Sequence, residues 1–284
     1  MTIETIDRLI ASSRPRRGLL RGSRLALLGL GALLGAYLAD PDLFSPTRVP
    51  VWLLPQIVLL ILAVLILQTA VKQRRLVKLM LAGFEAVQLR QWDQARDVLV
   101  RLLRHAVTPA QARAESLLSL ASVAEADRQF DAAQRIYEAV LVENAADPLQ
   151  LHTARVALAA AMLRTDQTAD AVDLIDRLAR VELPAALRAQ VELLSLFREV
   201  TMGQADAGLA RAEQRAELFR HHLSTRAGFG YGLLAAAFDR ANQPAQAQRY
   251  WHDATLLIRP KELLERFEEL APIAAKYPAA EFVL

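Results

Sequence analysis

Arg90-Gln91-Trp92-Asp93-Gln94-Ala95 and Arg128-Gln129-Phe130-Asp131-Ala132-Ala133 are two copies of one phrase, each ending on a small residue. The small residue returns as Ala95, Ala133, Ala171, Gly208 and Ala247, at separations of 38, 38, 37 and 39. A fixed period of this length marks a chain built by repetition, in which one unit cannot bury its own apolar face and neighbours stack to do so. Other positions keep the register. Trp92 and Phe130 stand three before the small residue, and Leu99, Tyr137, Ile175 and Trp251 stand four after it. Twelve before it come Gly83, Ala121, Ala159 and Ala235. Two small residues per unit let antiparallel helices approach closely while the bulky ones fill the space beside them. With 54% hydrophobic but only 6% aromatic residues, and 11 glycines, the apolar excess is Ala, Leu and Val, so the expected fold class is all-α. Pro109, Pro148, Pro184 and Pro260 each follow a second helix, which proline cannot continue.

The register and both quoted phrases resemble the tetratricopeptide repeat (TPR) family over residues 76–260, with Asp93 and Asp131 in the place of helix caps. The period exceeds that family's usual length of about 34. The fourth unit also departs, with Ala205 and Gly208 where an aromatic residue and an alanine are preferred. The resemblance implies an α-solenoid of about five helix pairs whose first helices line a concave, partner-binding groove. Its lining would be Met80, Phe84, Val87, Leu118, Glu125, Val156, Leu163, Leu193, Phe197, Val200 and Asp239. Carboxylate-clamp members carry lysines, asparagines and arginines there. This apolar lining instead suits an apolar helix or an extended hydrophobic segment of a protein partner. The array's own helices and residues 280–284 are the competing occupants. Residues 261–276 read as a terminal helix capping the last core face through Leu263, Leu264, Phe267 and Leu270.

Ahead of the repeats the sequence predicts a transmembrane hairpin. No charge occurs between Arg48 and Lys72, and those 23 residues would reach about 34 Å. An earlier apolar stretch, residues 25–39, follows six arginines. A cleaved export signal is the alternative, but cleavage after Ala39 would place Tyr37 where a small residue is needed. Cations before the first span and at Lys72, Arg74, Arg75 and Lys78 after the second put both termini in the cytosol of a bacterial inner membrane. Gly31 and Gly35 share a face on which helices could pack, seating the second span or a second copy. Ile3, Ile6, Leu9 and Ile10 recur at helical spacing, as a surface-lying helix or as a short frayed tail. The expected organisation is 1–22, a basic segment; 23–71, the hairpin, with helices at about 23–40 and 50–71; 72–260, the repeats; and 261–284, the cap and tail.

Chemistry is sparse. The pI near 9.4 arises ahead of the repeats, because from Lys72 onward 27 basic residues balance 27 acidic ones. That disfavours a nucleic-acid face. Cysteine is absent, and none of the five histidines pairs with another at metal-ligand spacing. Gly228-Phe229-Gly230-Tyr231-Gly232 lacks the strand that a phosphate-binding loop follows, and reads as close packing where the fifth unit starts. The sequence therefore predicts no catalytic residue, cofactor, metal or small-molecule substrate. It predicts a membrane-anchored adaptor for a protein partner, in contact with the lipid bilayer and with a homo-oligomer possible. The alternative is a structural or assembly subunit of a larger membrane complex, held through the transmembrane helices.

Overall fold

The structure is a computed structural model that describes residues 3–13, 53–105, 109–143, 147–165 and 167–278. Every regular element among the described residues is helical. The chain divides into two compact units, Met1–Ala139 and Val140–Leu284.

In the first unit, α1 (Ile3–Ser13) precedes α2 (Leu53–Gln88), α3 (Trp92–Leu103), α4 (Ala110–Ala126) and α5 (Phe130–Glu143), within which the unit boundary falls. α2 pairs with α3, and the next first helix, α4, packs against both. The register residues meet at these crossings. Ala95, Leu99, Ala121 and Ala133 are completely buried, and a Cβ on Gly83 would stand 3.1 Å from Leu99 Cδ2. α1 is docked rather than frayed: Ile6, Leu9, Ile10 and Ser13 bury one face, and the helix packs on α3. Arg113 of α4, itself buried, holds its C-terminus, donating from Nε to Ser13 Oγ (3.0 Å) and from a terminal nitrogen to the Ile10 carbonyl (3.1 Å).

In the second unit α6 (Pro148–Met162) pairs with α7 (Thr168–Ala179), α8 (Ala185–Thr201) with α9 (Ala205–Leu209), and α11 (Ala227–Arg240) with α12 (Pro244–Leu257). First helices α6, α8 and α11 lie side by side. The weak fourth unit is physically short, because its second helix stops after five residues and an extra helix, α10 (Ala212–His222), follows. Ala159, Ala171, Ala235 and Ala247 are fully buried.

One backbone device closes the units. Arg90, Arg128, Gly203 and Asn242, each five residues before a register residue, have φ of 56°, 58°, 74° and 56°. This left-handed residue ends the first helix. The glutamine after it then donates its amide five residues back: Gln91 to Ala86, Gln129 to Ala124, Gln204 to Glu199 and Gln243 to Phe238, all at 2.8–2.9 Å. Gln167 does the same to Met162 at 3.1 Å. The glutamine carbonyl next accepts from the small residue, starting the second helix. Asp93 and Asp131 are therefore not the caps. Both lie inside the first turn, where a carboxylate favours the positive end of the helix dipole.

The transmembrane hairpin is corrected. Among the described residues no helix is long and apolar enough to cross a membrane. The described charge-free part of α2, Leu53 to Val71, reaches about 28 Å, against a hydrocarbon core of about 30 Å. Gln56, Gln68 and Thr69 interrupt it, and the same unbroken helix continues through Lys72, Arg74, Arg75 and Lys78 into the first repeat. The inner-membrane placement with two spans and cytosolic termini rested on this hairpin and falls with it. Residues 23–40, with Gly31 and Gly35, lie outside the described residues. The single capping helix is also revised. Residues 260–276 form α13 (Pro260–Arg266), a 3-10 turn (Glu268–Leu270) and α14 (Ala271–Lys276): Phe267 leaves the helical backbone at φ −136° and ψ 94°, and Pro272 stands in the first turn of α14, where its missing N–H costs no bond.

Candidate functional site

The groove positions named from the register fall into two groups. In the first unit Met80, Phe84 and Val87 follow one another at i, i+4 and i+7 on α2, and Leu118 and Glu125 stand on α4. All five are half-buried. Glu125 accepts a hydrogen bond from the Tyr137 hydroxyl at 3.2 Å. The result is an apolar face on two adjacent first helices.

In the second unit Val156 is buried with Ile175, Leu178, Leu183, Leu187 and Val191, while Leu163 is half-buried at the end of α6. Leu193 packs against a larger core that contains Phe197 and Val200. The chain itself covers this group. Phe267 lies with its ring 5.0 Å from Phe197 and 5.7 Å from Phe229. The Arg164 guanidinium sits 4.9 Å from the Phe197 ring and 4.8 Å from that of Phe267, and also donates to the Arg266 carbonyl. Such a cation between two aromatic rings is held by their quadrupoles as well as by packing. Leu270 fills the notch left at Gly232, whose Cβ would meet it at 3.0 Å.

Asp239 closes the far end. It accepts from Lys276 Nζ at 2.6 Å and from the Tyr277 hydroxyl at 2.8 Å. The Lys276 hydrogen bond, aided by that of Tyr277 and against some desolvation, holds the Asp239 carboxyl below the usual carboxylate range. The same bond holds Lys276 above the usual lysine range. Residues 260–277 thus act as a strap over the first helices.

A second feature has no counterpart in the sequence reading. Arg215 of α10 is buried, with both terminal nitrogens on Glu199 (2.6 and 2.9 Å), Nε on Glu192 (3.0 Å) and a further bond to the Gly208 carbonyl (3.2 Å). Burial pulls its pKa down, but the hydrogen bonds and charge of Glu199, then of Glu192, outweigh this and hold it above the ordinary arginine value. Above this network lies a cavity of about 370 Å³. The five closely spaced glycine-segment residues belong to helix α11, where a Cβ on Gly230 would stand 2.3 Å from Phe219 and one on Gly228 2.9 Å from Ile258. Among the described residues no group of three or more His, Asp or Glu is placed to hold a metal ion.

Stacked helix pairs with buried small residues at each crossing define an α-helical repeat protein. No family model and no curated protein matches the chain. A solved structure described as the crystal structure of MamA protein is similar at 19% identity and a TM-score of 0.41, covering 72% of this chain and 96% of that one.

Proposed function

We propose that the protein is a non-catalytic adaptor that binds a protein partner through apolar faces of its first helices. One observation carries this reading: the strap of residues 260–277 inserts Leu263, Phe267, Leu270 and Ile273 onto the first-helix side of the second unit. That surface therefore accepts an apolar helical segment with an aromatic anchor, the mode of recognition that a helix-binding groove uses. Met80, Phe84, Val87 and Leu118 offer a comparable face in the first unit. The test is affinity capture of the full chain from cells, followed by Phe84→Glu and Leu118→Glu. Loss of the captured partner in both variants, with unchanged circular dichroism, is the expected result. Equal recovery in both would overturn groove binding.

A second reading rests on α2. Leu59, Leu60, Ile66 and Leu67 are all 60% or more exposed, a continuous apolar surface of the kind that partner proteins cover. It makes the chain an assembly subunit of a larger complex. Leu60→Glu with Leu67→Glu separates the two readings, since it abolishes association only in this one.

A further inference from the structure

The extra helix α10 interrupts an otherwise regular array, and the cavity it creates has a definite chemistry. It is lined from α8 by Arg188 and Glu192, and from α10 and the residue before it by Arg211, Gln214, Arg215, Glu217, Leu218, His221 and His222. The carboxylates in this wall already accept hydrogen bonds. Glu192 receives Arg215 Nε. Glu217 receives Arg220 at 2.6 Å and lies 2.9 Å from His221 Nε2, and the His221 bond, then that of Arg220, holds its carboxyl below the usual range. Arg215 forms the floor, its charge spent on Glu199 and Glu192.

The other cations are weakly held. Arg211 reaches Glu192 only at 3.6 Å and its side chain is 55% exposed. Arg188 makes one long bond, 3.4 Å to the Leu183 carbonyl. Arg215 brings one charge to two carboxylates, so Glu192 also draws on Arg211; with Arg188 the wall holds three guanidinium groups against Glu192 and Glu199, and the Gln214 amide and His222 face the same cavity.

We infer that this cavity binds a phosphate monoester, with Arg188 and Arg211 clamping the phosphate. The three terminal oxygens of a phosphate monoester can serve both guanidinium forks, whereas the two oxygens of a carboxylate are taken up by one. The volume exceeds that of a bare phosphate and leaves room for the attached organic group against Leu218. Both planar forks can chelate phosphate oxygens in pairs, and the buried floor beneath ties α10 to α8, so the ordering needed on binding is that of the two arginine side chains. The phosphate could be carried by a small metabolite or by a phosphorylated side chain.

The test is calorimetric titration of the full chain with O-phosphoserine, inorganic phosphate, serine and a phosphoserine-containing peptide. O-phosphoserine is expected to bind and serine not to. Arg188→Gln and Arg211→Gln should each weaken binding about tenfold or more, as loss of a charged hydrogen-bond pair does. Arg240→Gln, on α11 outside the cavity, should leave it unchanged. A peptide that binds more tightly than O-phosphoserine identifies a phosphorylated partner; equal affinities identify a free metabolite. Absence of binding at about 10 mM ligand, or unaltered binding in both arginine variants, would overturn the site.

Discussion

Glu199 and Arg215 form a two-pronged ion pair in the interior of the second unit, 2.6 and 2.9 Å across its two hydrogen bonds, with side chains 7% and 2% exposed. A pair this dry adds little net stability, because desolvation offsets most of the attraction, but removing one member strands the other. Glu199→Ala should therefore destabilise the protein by about 3–5 kcal/mol, read as the shift in urea-unfolding midpoint. The paired replacement Glu199→Leu with Arg215→Met should recover much of that loss. Recovery below a quarter would show that the Gly208 and Glu192 bonds, rather than the ion pair, dominate.

Asp239 and Lys276 clasp the strap, and the sign of its pH dependence follows from their shifts. The Asp239 carboxyl is held below its unfolded value, so its contribution is present above the ordinary carboxylate range and is lost as pH falls through the lowered value. Lys276 is held above its unfolded value, so its contribution is present below the ordinary lysine range and is lost as pH rises past it. At neutral pH both are present. Asp239→Asn should speed amide exchange in α14 a few-fold at pH 7, and this difference should vanish in strong acid, where the wild-type carboxyl is protonated too.

Arg113 fixes α1 from a helix one hundred residues along the chain. Replacement by Leu keeps the bulk but removes the donors to Ser13 Oγ and the Ile10 carbonyl. A loss of about 1.5–3 kcal/mol is expected from charged hydrogen bonds of this kind. Amide exchange at residues 6–13 should rise toward that of a free peptide, while α4 and α5 keep their protection.

The ring of Phe219 lies where a side chain on Gly230 would begin. Gly230→Ala places a Cβ 2.3 Å from Phe219 Cδ2, so the ring or α11 must move, at a cost of about 1–3 kcal/mol. Phe219→Leu frees that space. The double variant should be more stable than the sum of the two single effects predicts, and strict additivity would place the strain elsewhere.

The repeat was legible because it is a one-dimensional signal: Ala95, Ala133, Ala171 and Ala247 need only share a spacing to be recognised, and all are fully buried. The strap was half legible. Leu263, Phe267 and Leu270 announced an apolar face, but nothing in their spacing said that, besides covering α11 of the last helix pair, it would reach back to Phe197 and Arg164. Arg113 with Ser13, and Arg215 with Glu199, gave no signal, because each joins residues whose meeting depends on the assembled fold. The hairpin failed for a specific reason. Counting from Arg48 to Lys72 measures the gap between charges, whereas the described helix across it carries Gln56, Gln68 and Thr69 and runs on through the cations into the first repeat. The turn, by contrast, has a signal in the sequence: Gln91, Gln129, Gln167, Gln204 and Gln243 stand four before every register residue.

That glutamine follows the left-handed residue, which makes the turn itself testable. Gly203 has φ of +74° and no atom within 4 Å of where a Cβ would stand, so Gly203→Ala introduces backbone strain without a steric clash. Left-handed backbone disfavours alanine by about 1 kcal/mol, and the variant should lose about that much in urea unfolding with an unchanged slope. Asn242 occupies the equivalent place in the fifth unit at φ 56°. Asn242→Gly relieves the same strain but frees the unfolded chain, so its effect should be within about 0.5 kcal/mol of zero. If Gly203→Ala were neutral as well, the turn would not depend on its left-handed residue, and the Gln204 amide bond to Glu199 would be what closes the fourth unit.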